Sequence, residues 1–265
     1  MTVSRGTATM RSVPMIGDGT VAPPTDWVAA QAAVAGSTVL VTGGGTMGTD
    51  SRDRSYARAR AGLKHVYWIG GGTGAGKSTI ATRIAERHGM SVYATDDVMG
   101  GHTRRSAPAS ASYLQQFVAM DMDERWLNRS PEVMLDTFHW FRGEAFDLVV
   151  EDLLGMPADR GVVAEGFRLL PELIGPLLAD TRHAVWLIPT PEFRRAALES
   201  RGGLWQIAGR TSDPQRALAN LLERDRLFTE RLETSVAALR LPLIHVDTEM
   251  DTEGLAAEVA RSFGL

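Results

Sequence analysis

The sequence predicts an α/β fold: a five-stranded parallel sheet in a three-layer arrangement, flanked by helices on both faces. Three observations lead there. Five short apolar segments, His65–Ile69, Ser91–Ala94, Val162–Ala164, Ala184–Ile188 and Leu243–Val246, have the length and character of buried strands. Longer stretches with helical spacing separate them, the alternation that builds a parallel sheet covered on both faces. Between the first strand and the first of these helices runs a glycine-rich loop, the punctuation of a strand–turn–helix unit.

The elements follow in order. Met1–Gly62 is rich in Gly, Thr, Ser, Ala and Pro and contains no Glu, so it reads as a poorly ordered extension ahead of a domain over 63–265. Its one weak helical stretch is Trp27–Val34. Val39–Gly48 resembles the strand and glycine turn of a dinucleotide-binding unit. The Asp50–Arg54 run behind it has no apolar helix face, and no acid-ended second strand follows, so a flexible loop is expected. Residues 1–17 carry Arg and Ser without an acid, as transit peptides do, but show no amphipathic Arg face; a cytoplasmic protein is expected. After the first strand, Ile80, Ala81, Ile84 and Ala85 recur at helical spacing until Gly89 ends the helix. After the fourth, Thr190 offers an N-cap, with Pro191 in the first turn and Glu192 behind it. Gln215–Leu239 reads as a long helix packing through Leu218, Leu221, Leu222, Leu232 and Val236. Glu223, Arg224, Asp225 and Arg226 are assigned to its solvated face. The last strand leads into a closing helix, Thr252–Phe263.

Composition narrows the function classes. A chain of 265 residues, 44% hydrophobic and 23% charged, can bury one sizeable core. A net charge of −4 gives no polyanion-binding surface, so no nucleic-acid partner is expected. The absence of cysteine rules out disulfides, thiolate nucleophiles and Cys-based zinc sites. Six histidines without HxH or HExxH spacing leave no metal signature beyond a nucleotide-borne Mg²⁺. No stretch approaches roughly 18 apolar residues, so no membrane span is expected.

The chemistry starts at the loop. Gly71-Gly72-Thr73-Gly74-Ala75-Gly76-Lys77-Ser78, with Thr79 behind it, spells GxxxxGKS, a phosphate-cradling P-loop. Its glycines let backbone N–H groups turn inward toward phosphate oxygens, and the following helix N-terminus favours negative charge. Lys77 is placed to reach the β- and γ-phosphates, and the Ser78 hydroxyl to ligate Mg²⁺. Only two lysines stand against 26 arginines, so a lysine in this slot is specific. Binding of ATP follows.

Ligands of open α/β sheets lie outside the carboxyl ends of the strands. Strand two runs into Asp96-Asp97 and strand three into Glu165-Gly166, so these acids face the γ-phosphate region beside Lys77 and Ser78. Transfer of a phosphoryl group to an alcohol needs one carboxylate to take or orient the hydroxyl proton, and another to hold Mg²⁺. Lys77, Asp96, Asp97 and Glu165 are therefore catalytic candidates, and Ser78, Asp96 and Glu165 the metal-side candidates. A solvated turn for Asp96-Asp97 and a surface strand end for Glu165 are the competing readings.

The order of elements resembles that of the P-loop small-molecule and nucleoside kinases. Thr95-Asp96-Asp97-Val98 is similar to the Asp-Asp-aromatic motif of the uridine kinase and nicotinamide riboside kinase group. Val162-Val163-Ala164-Glu165-Gly166-Phe167-Arg168-Leu169-Leu170 resembles that group's apolar strand ending in Glu-Gly-Phe. The resemblance implies a P-loop kinase fold, one of the two aspartates as base, and Glu165 in contact with substrate or magnesium. Val98-Met99 stand where the group has aromatic residues, so nucleoside, nucleotide, sugar acid and antibiotic all stay open as acceptor. The resemblance further implies a lid after strand four, with Arg194, Arg195, Arg201 and Arg210 as candidates around Gly202-Gly203 and Gly209; Arg201 is taken as the catalytic one. It also implies an acceptor-site insert over Gly100–Arg160, which holds Arg104, Arg105, Tyr113, Trp126, Arg129, His139, Trp140 and Arg142. Aromatics at such spacing also build cores.

The expected activity is an ATP- and Mg²⁺-dependent transfer of the γ-phosphoryl group to a small hydroxylated or phosphorylated metabolite. The alternative is a P-loop ATPase with a regulatory or motor role, in which Leu148–Asp152 would be an acid-ended strand. Phe141, Ala145, Leu148, Val149 and Leu153 fit a helix stripe better, closed by Pro157 and Gly161. A GTPase needs a lysine in Asn-Lys-x-Asp, and none follows Lys77. A non-catalytic nucleotide sensor would need no base.

Overall fold

The structure, a computed structural model, describes residues 49–106, 110–194 and 203–265. In chain order its elements are helix α1 (Thr49–Gly62), strand β1 (Val66–Gly71), α2 (Lys77–His88), β2 (Ser91–Ala94), α3 (Thr95–Arg105), α4 (Ser112–Ala119), α5 (Met122–Trp126), α6 (Pro131–Thr137), α7 (Phe146–Leu154), β3 (Val162–Glu165), α8 (Pro171–Ile174), β4 (Ala184–Pro189), α9 (Gly203–Ala208), α10 (Pro214–Ala238), β5 (Leu243–Val246) and α11 (Thr252–Phe263). All five expected strands form, and all pair in parallel in the order β2-β3-β1-β4-β5.

Strand residues alternate between two cores, as a two-residue side-chain period requires. Val66, Trp68, Val162, Ala164, Ala184, Trp186 and Ile188 pack on one face with residues of α1, α7, α8 and α10. Ile69, Val163, Val185, Leu187, Ile244 and Val246 pack on the other with α2 and α11. Each fully buried aliphatic side chain contributes about 1.5–3 kcal/mol of transfer free energy. The Trp186 indole is completely buried, and its N–H donates to the Leu169 carbonyl at 2.8 Å. Gly70 leaves room for that ring, since a Cβ there would stand 2.3 Å from Trp186 Nε1. A third, smaller cluster joins Trp126, Leu127 and Met134 of the insert to Ala208, Ala217 and Leu221.

This topology opens a crevice at the end of β1. The chain leaves β1 through α2 on one face, while β3 leads into α8 on the other. Adjacent strands whose connections part in this way form a switch point, where ligands of open α/β sheets bind.

Three expectations change. The last part of the segment read as a poorly ordered extension is α1, a 14-residue helix, which includes the Asp50–Arg54 run. Tyr56, Ala59 and Leu63 pack it on the core, and Arg60 donates twice to the Pro176 carbonyl, at 2.9 and 3.2 Å. Their spacing of three and four is a helical signal, hidden by an otherwise polar sequence. Trp27–Val34 and Val39–Gly48 lie outside the described residues. The stripe beginning at Phe141 is not one helix. His139–Arg142 is a 3-10 turn, Gly143 and Ala145 take left-handed φ of 77° and 59°, and α7 starts only at Phe146. Leu148–Asp152 accordingly sit in a helix, not on a strand. Finally, Arg224 and Asp225 are not solvated: they are 6% and 1% exposed. The four consecutive charges concealed a buried pair whose covering rings come from the distant insert.

Candidate active site

The glycine-rich loop joins β1 directly to α2. Gly74 and Gly76 take left-handed φ of 82° and 81°, and Gly71 lies at 133°. A side chain at Gly71 would meet the Leu187 carbonyl at 2.1 Å, and one at Gly72 the Thr229 hydroxyl at 2.7 Å. The chain thus turns here in a space that admits only backbone. Ala75 is completely buried against the α2 side of the sheet and anchors the loop, with Thr73 half-buried at its bend. The N-terminus of α2 has no side-chain cap and no acid in its first turn. Such a helix start attracts an anion. Lys77 reaches back over the loop and donates to the Gly72 carbonyl at 2.8 Å. Thr79 follows in the exposed first turn.

The acids meet this loop from β2 and β3. Helix α3 starts at Thr95, directly after β2, which places Asp96 and Asp97 in its first turn. Glu165 ends β3 and is 3% exposed. Gly166 behind it has a φ of 145°, and a Cβ there would lie 1.7 Å from the Thr95 hydroxyl. This contact brings the ends of β2 and β3 together.

These groups act on one another electrostatically. Burial raises the pKa of Glu165; the Ser78 hydroxyl and the Lys77 charge pull it back, while Asp96 and Asp97 raise it further. Crowding by the surrounding chain likewise raises Asp96, although this residue reaches solvent; Lys77 and Arg168 oppose the rise, and Asp97 adds to it. Asp96 and Glu165 thus lie within electrostatic reach of Lys77, and Asp97 within reach of both acids. Among the described residues no cluster of three or more His, Asp or Glu forms a metal site on its own. The donor set nevertheless suits Mg²⁺, a hard cation that usually takes one or two carboxylates and completes its octahedron with phosphate oxygens and water. Carboxylates raised by crowding would also gain from a cation.

Other candidates are sorted by their surroundings. Trp126, His139, Trp140 and Arg142 are buried in the insert. Phe117, Phe138 and Phe141 stack among them, and Phe138 and Phe141 contact Phe167, two residues beyond Glu165. The Arg142 guanidinium lies over Tyr113 at 4.4 Å. Arg129 binds the Thr137 hydroxyl at 2.8 Å and the Glu124 carbonyl at 3.0 Å. Arg105 pairs with Asp152 and Glu151, and Arg104 is exposed. Of the lid candidates, Arg194 is half-buried and Arg210 exposed beside α9; Arg195 and Arg201 lie outside the described residues. Burial holds His139 well below the usual imidazole range, at about 3, and the charges of Arg168 and Arg125 contribute.

Four residues near the site were given no role in the expected active site by the sequence reading. Arg168, 2% exposed, sits three residues after Glu165, and burial lowers its pKa to about 10, so it stays charged at neutral pH. It joins His102, Tyr93 and the half-buried Asp152 in one network. No sequence pattern links these four; only the position of Arg168 just past Glu165 could have drawn attention to it.

No known protein family and no curated protein matches the chain. Among solved structures, it is similar to the crystal structure of an uncharacterized protein from Eubacterium ventriosum ATCC 27560, at 14% identity and a TM-score of 0.39. That likeness covers 76% of this chain and 98% of the other. At this level it carries no functional argument.

Proposed function

We propose that the chain is a small-molecule kinase, moving the γ-phosphoryl group of ATP to a small hydroxylated or phosphorylated metabolite with Mg²⁺. The observation that carries this reading is the buried Glu165 carboxylate at the end of β3, within electrostatic reach of Lys77, Asp96 and Asp97. A triphosphate laid along the loop would meet inward backbone N–H groups and the start of α2. Lys77 would exchange the Gly72 carbonyl for β- and γ-phosphate oxygens. Ser78, Glu165 and Asp96 would hold Mg²⁺, which neutralises charge on the phosphates. Asp96 or Asp97 accepts the acceptor's hydroxyl proton, and its raised affinity for protons, in the case of Asp96, suits a base. The insert, whose aromatic cluster reaches Phe167, would receive the acceptor. No helix among the described residues is long and apolar enough to cross a membrane, and a cytoplasmic enzyme is the accompanying proposal. The ATPase alternative loses its main residue-level support, since Leu148–Asp152 lie in α7.

Incubation of purified protein with ATP, Mg²⁺ and a panel of hydroxylated metabolites tests the reading. ADP release that depends on one acceptor, and that Lys77→Ala abolishes, is the expected result. Release without any acceptor, stimulated by a partner protein, would favour the ATPase.

A further inference from the structure

Arg168 is held in an unusual way for a buried cation. Its Nη1 lies 3.0 Å from Nδ1 of His102, its Nη2 donates to the Ala145 carbonyl at 3.2 Å, and its guanidinium stands 3.9 Å over the Trp140 ring. Each of these partners is uncharged. A buried guanidinium normally faces a carboxylate directly, because an uncompensated charge away from water is costly. Here an imidazole stands between Arg168 and the nearest bonded carboxylate, Asp152.

Donor and acceptor rules fix the chain of bonds. A guanidinium only donates, so Nδ1 of His102 carries no hydrogen and accepts from Arg168. The hydrogen sits on Nε2, which donates to Asp152 Oδ2 at 2.7 Å. The same oxygen accepts from the Tyr93 hydroxyl at 2.9 Å, and Oδ1 accepts from Arg105 at 2.8 Å. His102 is 1% exposed, and burial, the first cause, lowers its pKa, which preserves the neutral form this chain needs. Outer groups that lock a ring's tautomer commonly set the orientation of the group it touches. The unusual left-handed Ala145 contributes the second fixed point through its carbonyl.

Resting on the kinase reading, we propose that Asp152 and His102 are positioning residues that hold the Arg168 guanidinium, three residues past Glu165, without a direct carboxylate partner, so that its charge acts on the neighbouring phosphate site. From there its field adds to that of Lys77 on Asp96 and on a terminal phosphoryl group. Pairing with a carboxylate would cancel that field at contact; the interposed imidazole keeps it available.

Two isosteric substitutions separate this role from simple packing. The amide oxygen of His102→Asn stands where Nδ1 stands and still accepts from Arg168. The amide of His102→Gln reaches Asp152 instead and abandons Arg168. Affinities for Mg·ADP and for Mg²⁺ with an imido-bridged, non-hydrolysable ATP analogue are measured by calorimetry, with acceptor-dependent turnover and Tm alongside. Arg168→Gln should lower turnover about 100-fold and weaken the triphosphate analogue about 10-fold, leaving Mg·ADP within about 3-fold. His102→Gln should follow it, and His102→Asn, which keeps the acceptor for Arg168 but loses the Asp152 anchor, should lose clearly less than His102→Gln on every measure. Equal losses in both His102 variants, tracking their Tm, overturn the proposal. So does an undiminished Arg168→Gln, and if turnover persists in it the kinase reading survives alone. Should no acceptor support turnover, the kinase reading fails, and the triphosphate preference of the four proteins still decides the relay.

Discussion

Gly166 carries an unusual share of the geometry, because its missing side chain lets β2 and β3 bring their acids to one place. An alanine there meets both a φ of 145° and a hydroxyl 1.7 Å from its Cβ. Gly166→Ala should cost about 2–4 kcal/mol in urea unfolding. Since Thr95 opens α3, its displacement also moves Asp96, so turnover should fall by more than the lost folded fraction explains. Asp96→Asn and Asp97→Asn separate the two acids: the base should lose at least about 100-fold in turnover with Mg·ADP affinity nearly kept. Near wild-type transfer by both variants would remove the base from the mechanism. His139 tests the insert differently. Its imidazole is held neutral down to about pH 3 in the folded chain, while the unfolded chain takes up a proton near pH 6.5. The unfolded state therefore binds more protons in that window, and stability falls as pH drops from 6.5 toward 3, by about 1.4 kcal/mol per unit. Glu165, Asp96 and Glu144 act oppositely, since burial raises each of them. His139→Phe keeps the aromatic packing and removes the imidazole, so its stability should decline less between pH 6.5 and 4.5 than that of wild type. Parallel declines in the two proteins would contradict a neutral, buried His139.

Helix α10 shows what an element hides when read alone. Leu221, Leu232 and Val236 are buried as their spacing predicts, but Arg224 and Asp225 share that face. They pair with each other at 2.9 Å, and the guanidinium lies 5.2 Å from the Trp126 and Phe138 centroids. Those rings belong to an insert about ninety residues earlier, and local periodicity contains no trace of them. The strands were readable for the opposite reason. Their residues are buried on both faces, so a continuous apolar run marks them wherever they pair. The glycine-rich turn between β1 and α2 was readable because backbone geometry demands glycine at fixed spacing. Element ends were not: Gly70 and Gly71 extend β1, and left-handed Gly143 and Ala145 cut a regular stripe. The network of Arg168, His102 and Asp152 was equally silent, because each residue acquires its role from partners far along the chain. Arg224→Met leaves Asp225 as an uncompensated buried charge and should cost about 3–5 kcal/mol. Arg224→Met with Asp225→Leu should cost markedly less than the two single changes added. Additive losses in urea unfolding would show that the pair is not energetically coupled.

At the scale of the whole molecule, one sheet separates two cores, and the glycine-rich loop touches both sides, Gly72 against Thr229 and Ala75 in the α2-side core. On the α2 side, strand residues pack with a helix that begins at the loop itself. On the other side, the core extends from α10 to α1, so a helix ahead of the first strand belongs to the same folding unit as the site. The boundary expected at residue 63 would divide that unit. A chain beginning at Leu63 loses the packing of Tyr56 and Ala59 and the two Arg60 bonds to Pro176. The loss is moderate, because Ala59 is small, Tyr56 only half-buried and Arg60 exposed. We expect about 1–2 kcal/mol relative to a chain beginning at Thr49, which corresponds to a Tm lower by about 2–4 °C. Because β1 runs on from Leu63 into the loop, Mg·ADP should recover part of the difference if the loop binds it, by mass action on the folded state. Thermal scans of both proteins with and without Mg·ADP measure this. Equal Tm values would place the domain start at residue 63, and a nucleotide shift in neither protein would count against the loop as a phosphate site.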